Sequence, residues 1–346
     1  MRKGINPVKR AGLTAHTPAS VGIVSLIFIP SLAGFYAHAL EVVDLHLTSL
    51  RKTLPEGEIL VWDNGSVSEV VQLLKGKFRN GEIDYLVLSK YNLGKTGVMN
   101  WLFTAMPHSY IVFTDGDILF LKGWWEAVQE IFQSFPKAGM VSPDPAFFDV
   151  LRGKSRTVAM LKKAGYQVYS AEPMYREVQI YYSGIGYDTP KQLVPLPFAK
   201  DPNGIIACAR SSHRVFVMPQ KIARAIPPLP AKRALSRQSD RMIHEKVEEM
   251  GYWQLSTSRA FVYHLGNTPL IPSLLEEEAT FLDMAGSNER PHSPQHVEGW
   301  KGRIRAAFRR TLQRSPRLRK KVERVYDALF RLLYEEESVR KPPKHG

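Results

Sequence analysis

The sequence predicts an α/β protein: a doubly wound, mixed and mostly parallel sheet, followed by a C-terminal amphipathic helical tail. Three observations carry this. Short apolar, β-branched segments alternate with segments of helical spacing across residues 21–142. Turn residues close the strand-like segments. The excess of positive charge lies beyond residue 300 and not in the alternating body.

Residues 21–28 (VGIVSLIF) are short, apolar and β-branched, as in a strand buried on both faces. Leu40, Val43, Leu47, Leu50 and Leu54 fall three and four apart, drawing one helical stripe that Pro55 ends. Residues 58–62 form the second strand, closed by Asp63-Asn64-Gly65. A helix over 67–78 leads to a strand at 85–88, and a helix over 97–106 to a strand at 110–114. A helix over 124–135 then precedes a strand at 139–142. Residues 143–203 hold scattered aromatics and prolines with no clean period, so long loops and a β-ribbon are expected. Residues 205–210, 215–218 and 260–264 read as strands, and 240–250 as a helix that Gly251-Tyr252 ends. The expected organisation is a basic arm (1–19), a catalytic-sized body (20–267), a loop or linker (268–298) and a helical tail (299–346).

The 346 residues are 44% hydrophobic and 23% charged, which excludes a wholly disordered chain, a collagen-like repeat and a disulfide-stapled miniprotein. The net charge of +14 predicts an anionic partner. Residues 301–325 supply eleven Lys/Arg against one acid, Glu323. Residues 299–334 therefore read as an interrupted amphipathic helix that can lie on an anionic membrane surface. A solvated surface helix is the plain alternative. No zinc-finger spacing or RNA-reading aromatic motif supports nucleic acid. The single cysteine, Cys208, excludes an internal disulfide and suits a cytoplasmic protein, peripheral on the inner face of the cell membrane if the tail binds there. Arg2, Lys3, Lys9 and Arg10 before the apolar run 21–35, with Ala37-His38-Ala39 after it, have the form of an export signal. Ser25, Pro30, Ser31 and Gly34 interrupt that run, and it reads equally as a buried strand followed by a helix. No other apolar run is long enough to span a membrane.

The most informative stretch is YIVFTDGDILFL, residues 110–121. A buried strand ends in Asp115-Gly116-Asp117, and open α/β sheets bind ligands at the carboxyl ends of their strands. Two carboxylates there suit a hard divalent cation, Mg²⁺ or Mn²⁺, bridging them to a diphosphate. An acidic turn at a strand end is the structural alternative.

The order of these features resembles the GT-A-fold glycosyltransferases, in particular glycosyltransferase family 2. The resemblance spans roughly residues 20–267 and rests on several short motifs in sequence. They are the first strand, VWDNGS at the end of the second, Asn92 to Asn100 (NLGKTGVMN), the Asp115-x-Asp117 strand, and SRQSDRMIHEKVEEMGYW at 236–253. Two departures stand out. The acidic pair of the family is Ser239-Asp240 here, and the first strand ends Phe28-Ile29-Pro30 without the usual Thr-Tyr-Asn.

The resemblance implies a Rossmann-like nucleotide-binding half. It also implies transfer of a sugar from a nucleotide-diphosphate sugar to a hydroxyl of a carbohydrate or lipid-linked acceptor, with inversion. It places Asp63 and Asn64 at the nucleotide base and ribose, and Lys95, Asn100 and Asp115 around the donor. Asp115, Asp117 and His264 are the implied metal ligands, and Asp240 the implied general base. Each has a structural alternative: a plain turn for Asp63 and Asn64, a solvated Lys95, a strand-end His264, and for Asp240 a helix-start carboxylate favoured by the macrodipole. Trp124-Trp125 either line a sugar groove or pack in the core. A sugar nucleotidyltransferase would want a basic phosphate loop after the first strand, where Ile29 to Gly34 holds no Lys or Arg. A dehydrogenase would want G-x-G-x-x-G there. A non-enzymatic membrane- or nucleic-acid-binding protein with a glycosyltransferase-like domain is the remaining alternative.

Overall fold

The computed structural model describes residues 14–147, 155–230 and 237–282. In chain order the elements begin β1 (Val21–Ile27), α1 (Ala39–Thr53), β2 (Glu58–Asp63), α2 (Ser68–Arg79), β3 (Tyr85–Leu88), α3 (Gly94–Ala105), β4 (Tyr110–Asp115), β5 (Ile118–Phe120), α4 (Trp124–Ser134) and β6 (Ala138–Ser142). They continue with α5 (Thr157–Lys163), β7 (Gln167–Ala171), α6 (Tyr175–Gly184), β8 (Leu196–Lys200), β9 (Ile206–Cys208), β10 (Val215–Pro219), α7 (Gln220–Ala225), α8 (Arg237–Glu249), β11 (Trp253–Thr257) and β12 (Val262–His264).

Ten strands form one sheet in the order β3-β2-β1-β4-β10-β6-β11-β9-β8-β7. β1 sits between β2 and β4, parallel to both, so Leu26 is level with Trp62 on one side and Asp115 on the other. β10 is inserted antiparallel between β4 and β6, and β11 runs parallel to β6. Only β10, β9 and β7 run against the other seven, so the sheet is the expected mixed, mostly parallel one.

The two faces explain the two kinds of crossover. Val21, Ile23 and Ile27 of β1 meet Val43, Leu47 and Leu50 of α1, Leu74 of α2 and Val128 of α4 in one core. Val24 faces the other way, with Val98, Met99 and Phe103 of α3, Ile222 of α7 and Ile243 of α8. Helices therefore cover both faces, the arrangement that near-continuous apolar strands require. The apolar run after the basic arm forms the buried central strand β1. Trp124 and Trp125 are both in the core, where Trp124 Nε1–H donates to Thr53 Oγ1 at 3.1 Å, so neither lines a groove.

The structure departs from the sequence reading in the middle of the chain. The expected β-ribbon is there as β7–β8, but 143–203 also holds the helices α5 and α6. β11 was not expected, because WQLST alternates neither cleanly nor apolarly, although it is wholly buried. α3 starts three residues early, at Gly94, whose φ of +69° lets the chain turn into the helix. Residues 273–282 make two 3-10 turns and bury Leu275, Ala279 and Leu282 against Val42 of α1 and Leu119 of β5. The amphipathic tail, 299–334, lies outside the described residues. Among the described residues no helix is long and apolar enough to cross a membrane.

Candidate active site at the carboxyl ends of the parallel strands

β4 delivers Asp115 to the carboxyl edge of the sheet, and Gly116 then turns the chain against β1. A Cβ on Gly116 would lie 3.1 Å from the Leu26 carbonyl oxygen and 3.0 Å from Ile27 Cγ1, so the turn packs tightly against β1. β5 leaves the main sheet and pairs antiparallel with β12, bringing His264 level with Ile118. Asp117 and His264, 147 positions apart in sequence, thereby meet: His264 Nε2 is 3.1 Å from Asp117 Oδ2. The Leu265 N–H donates to the Asp117 carbonyl at 2.8 Å and fixes the main chain of the same pair.

The other imidazole nitrogen is held from behind. His264 Nδ1–H donates to the Gly184 carbonyl, 2.9 Å away at the end of α6. Asp117 Oδ1 is buried without a hydrogen-bond partner. Burial alone would push Asp117 up, but the His264 charge and hydrogen bond, followed by His46 and Arg214, outweigh it and hold the carboxyl low. Burial would likewise depress His264, and Asp117 raises it instead. Asp115 shifts the opposite way: burial and the neighbouring Asp117 charge raise it, against the pull of Lys95 and His213. Two carboxylates two residues apart are thus driven in opposite directions, a common preparation for distinct roles.

Lys95, in the first turn of α3, is the direct partner of Asp115. Its Nζ lies 3.0 Å from Asp115 Oδ1 and donates to the His213 carbonyl at 2.8 Å, over the face of Phe113. Among the described residues no group of three or more His, Cys, Asp or Glu converges to hold a metal. Asp115 is committed to Lys95, and the donor set reduces to Asp117 and His264. That pair fits a divalent cation. An imidazole ligand usually donates its second N–H to a carbonyl, as His264 does to Gly184. A cation that keeps waters and substrate phosphates needs only one or two carboxylates, and the orphaned Asp117 Oδ1 is the kind of atom it would satisfy.

The remaining expected residues are placed as follows. The Asp63 carboxylate caps its own turn, accepting from the N–H of Gly65 and Ser66 at 3.2–3.3 Å. Asn64 is buried and ties that turn to the loop before α3. Its Nδ2 donates to Asn92 Oδ1 and its Oδ1 accepts from Leu93 N–H, each at 2.8 Å. Asn100 clamps Leu229, donating to its carbonyl at 2.8 Å and accepting from its N–H at 2.7 Å. These three side chains spend their hydrogen bonds on the protein. Asp240 lies on α8, and its side chain is outside the described residues.

Two participants were missed by sequence reasoning. One is α6, whose face carries Glu177, Tyr181 and Gly184 at helical spacing. Glu177 accepts from Ala260 N–H, the Tyr181 ring lies under Arg214, and Gly184 holds His264. The other is Arg214, at the start of β10. With His264, Tyr181, Asp144 and Glu177 it bounds a cavity of about 10 Å³, room for one water molecule.

The sheet and this edge define an α/β domain with a carboxylate site at its strand ends. Residues 38–186 match the glycosyl transferase family 2 profile, which bears out the family resemblance read from the motifs. The match takes in Asp63, Asn64, Lys95, Asn100, Asp115 and Asp117 and stops before Arg214, Asp240 and His264. No curated protein matches the sequence. Among solved structures, the chain is similar to the mannosyltransferase PcManGT from Pyrobaculum calidifontis in complex with GDP-Man and Mn²⁺, at 14% identity and a TM-score of 0.43, covering 70% of this chain and 55% of that one. It is also similar to S. aureus TarS 1-349 (13%, TM-score 0.42, 70% and 60%) and to the longer S. aureus TarS (13%, 0.41, 76% and 39%). The chain thus spans less than two thirds of each of these proteins.

Proposed function

We propose that this protein is a metal-assisted, inverting glycosyltransferase that moves a sugar from a nucleotide-diphosphate donor to an acceptor hydroxyl. The observation that carries the reading is the Asp117–His264 pair, with its one unpartnered carboxylate oxygen, beside the Lys95–Asp115 pair at the strand ends. The family 2 match over 38–186 supports glycosyl transfer as the chemistry.

Asp117 and His264 would hold Mg²⁺ or Mn²⁺, which when bound supplies Lewis-acid neutralisation of the diphosphate. Lys95 brings a positive charge to the same edge and holds Asp115 in place. The Asp63 turn, locked through Asn64 and Asn92, forms the rim over which the nucleotide lies. Asp240 is the base that takes the proton from the acceptor hydroxyl as its oxygen attacks the anomeric carbon. The acceptor is a carbohydrate or a lipid-linked glycan, and the basic stripe of 299–334 brings the body to an anionic membrane surface. Binding of the full chain to anionic vesicles but not to neutral ones, with loss at high salt, tests that last point.

A thermal-shift panel of UDP, GDP, dTDP, ADP and CDP, with and without Mn²⁺, tests the donor site. A ligand that binds only the folded state raises the melting temperature by mass action. Stabilisation by one nucleotide, larger with Mn²⁺ than without it, is expected. No shift with any nucleotide in folded protein would remove the reading.

A further inference from the structure

Arg214 lies outside the segment that matches the family profile, yet it is built into the site from three sides. Its carbonyl accepts the Asp115 N–H at 2.9 Å, so its main chain is fixed on the strand that ends in the first carboxylate. Its guanidinium donates from Nη2 to Asp144 Oδ2 at 2.7 Å, just past β6. Its Cζ lies 4.8 Å from the centre of the Tyr181 ring on α6. The side chain is 13% exposed and Asp144 6%. A buried ion pair is weak evidence of a stabilising role, so the placement of this one at the strand ends leaves room for another.

The surroundings indicate that use. Arg214 and His264 line the same small cavity, whose wall also carries the carboxylates of Asp144 and Glu177. Glu177 is already occupied by Ala260 N–H and by Arg176. The guanidinium has five N–H donors, and Asp144 takes one of them.

We propose that Arg214 meets the charge of the diphosphate leaving group. The inference rests on the transferase reading above and names a residue that reading does not use. In the transfer, the bond between the anomeric carbon and the β-phosphate oxygen breaks and its electron pair stays on that oxygen. The acceptor oxygen bonds the same carbon, and its proton passes to the carboxylate base. Negative charge therefore grows on the departing diphosphate. A guanidinium already oriented by Asp144 and Tyr181 stabilises it without reorganising. The planar fork suits two phosphate oxygens at once, which the point charge of Lys95 does not.

The test is calorimetric titration of the full chain with inorganic pyrophosphate in the presence of a chelator. Wild type is expected to bind without metal, and Arg214→Lys to bind about 10- to 100-fold more weakly, the scale of a charge-assisted pair. Asp144→Asn keeps an acceptor for Nη2 but removes the charge that competes for the guanidinium, so pyrophosphate should bind tighter, by roughly threefold to tenfold. A merely structural pair predicts the reverse for Asp144→Asn, and its readout stands even if Arg214→Lys does not fold. Arg214→Lys within twofold of wild type, weaker binding by Asp144→Asn, or no metal-free binding by wild type overturns the role of Arg214 alone. Wild type that binds neither pyrophosphate nor any nucleoside diphosphate with Mn²⁺ removes the transferase reading as well.

Discussion

His264 donates Nδ1–H to the carbonyl of Gly184 at 2.9 Å, and this one bond decides which nitrogen faces Asp117. Gly184 itself leaves no room for a side chain. A Cβ there would lie 2.8 Å from the His264 carbonyl oxygen and 3.2 Å from His264 Cβ. The atoms in the way are main chain of β12, which cannot swing aside as a flexible side chain can.

Gly184→Ala should therefore displace His264 from Asp117. The expected cost is about 1–3 kcal/mol of stability, typical of overpacking, with a larger loss in Mn²⁺ affinity than in nucleotide affinity without metal. Melting curves together with metal titrations check this. Unchanged metal affinity in a folded variant would remove Gly184 from the site.

Lys95→Met should leave Asp115 without its closest cation. Its carboxyl, already pushed up by burial, should rise further. A carboxyl raised in the folded state gives stability that is present at acid pH and lost as pH climbs through the raised value. Going from acid to neutral pH, the variant should thus lose more melting temperature than wild type does. Its turnover should fall by about 10²-fold, as charge next to the leaving group is removed.

His46 offers a second pH test. It is fully buried, its Nδ1–H donates to the Ile118 carbonyl at 2.6 Å, and Ser25 Oγ donates to Nε2 at 2.8 Å. Burial pushes its pKa down from the ordinary 6.5 to about 4. The folded state therefore prefers the neutral ring. The contribution is complete above pH 6.5 and is lost as pH falls from 6.5 through about 4, to a total on the order of 3 kcal/mol. Denaturant midpoints from pH 7 to pH 4 should fall more steeply for wild type than for His46→Gln. Parallel curves would show that His46 is not the titrating group.

Asp240→Asn should keep donor binding and lower turnover by about 10²–10⁴, the scale of a general base. The separation of the two effects is the point. A parallel loss of nucleotide binding would place Asp240 in the donor site.

The parts of the fold that were legible in the sequence are those whose signal is local. β1, β2 and β4 are short apolar runs, and α1 carries an apolar stripe of Leu40, Val43, Leu47 and Leu50 that continues to Leu54 just past its end, so each announces itself without its neighbours. Asp115-Gly116-Asp117 was legible for the same reason. α6 was not, because YREVQIYYSG mixes aromatic and polar residues. Its buried positions, Glu177 among them, make sense only once Ala260, Arg214 and His264 lie against it. Arg214 and His264 are far from the Asp115–Asp117 turn in sequence; the β10–β4 pairing brings Arg214 to Asp115, and the β12–β5 pairing brings His264 to Asp117. The one available signal for Arg214 was a charged residue opening an apolar strand, VFVMP. The side chains of Asp63, Asn64 and Asn100 bond the protein's own loops.

The most direct measurement is release of nucleoside diphosphate from a panel of nucleotide sugars, with Mn²⁺ present, by wild type and by Asp117→Asn. Asn is nearly isosteric with Asp but lacks the charge that pairs with His264. The account predicts metal-dependent release from one donor by wild type, and a loss of at least about 10²-fold in a variant that melts normally. Equal release by the two proteins would contradict the assignment of Asp117 as the carboxylate at the centre of the site.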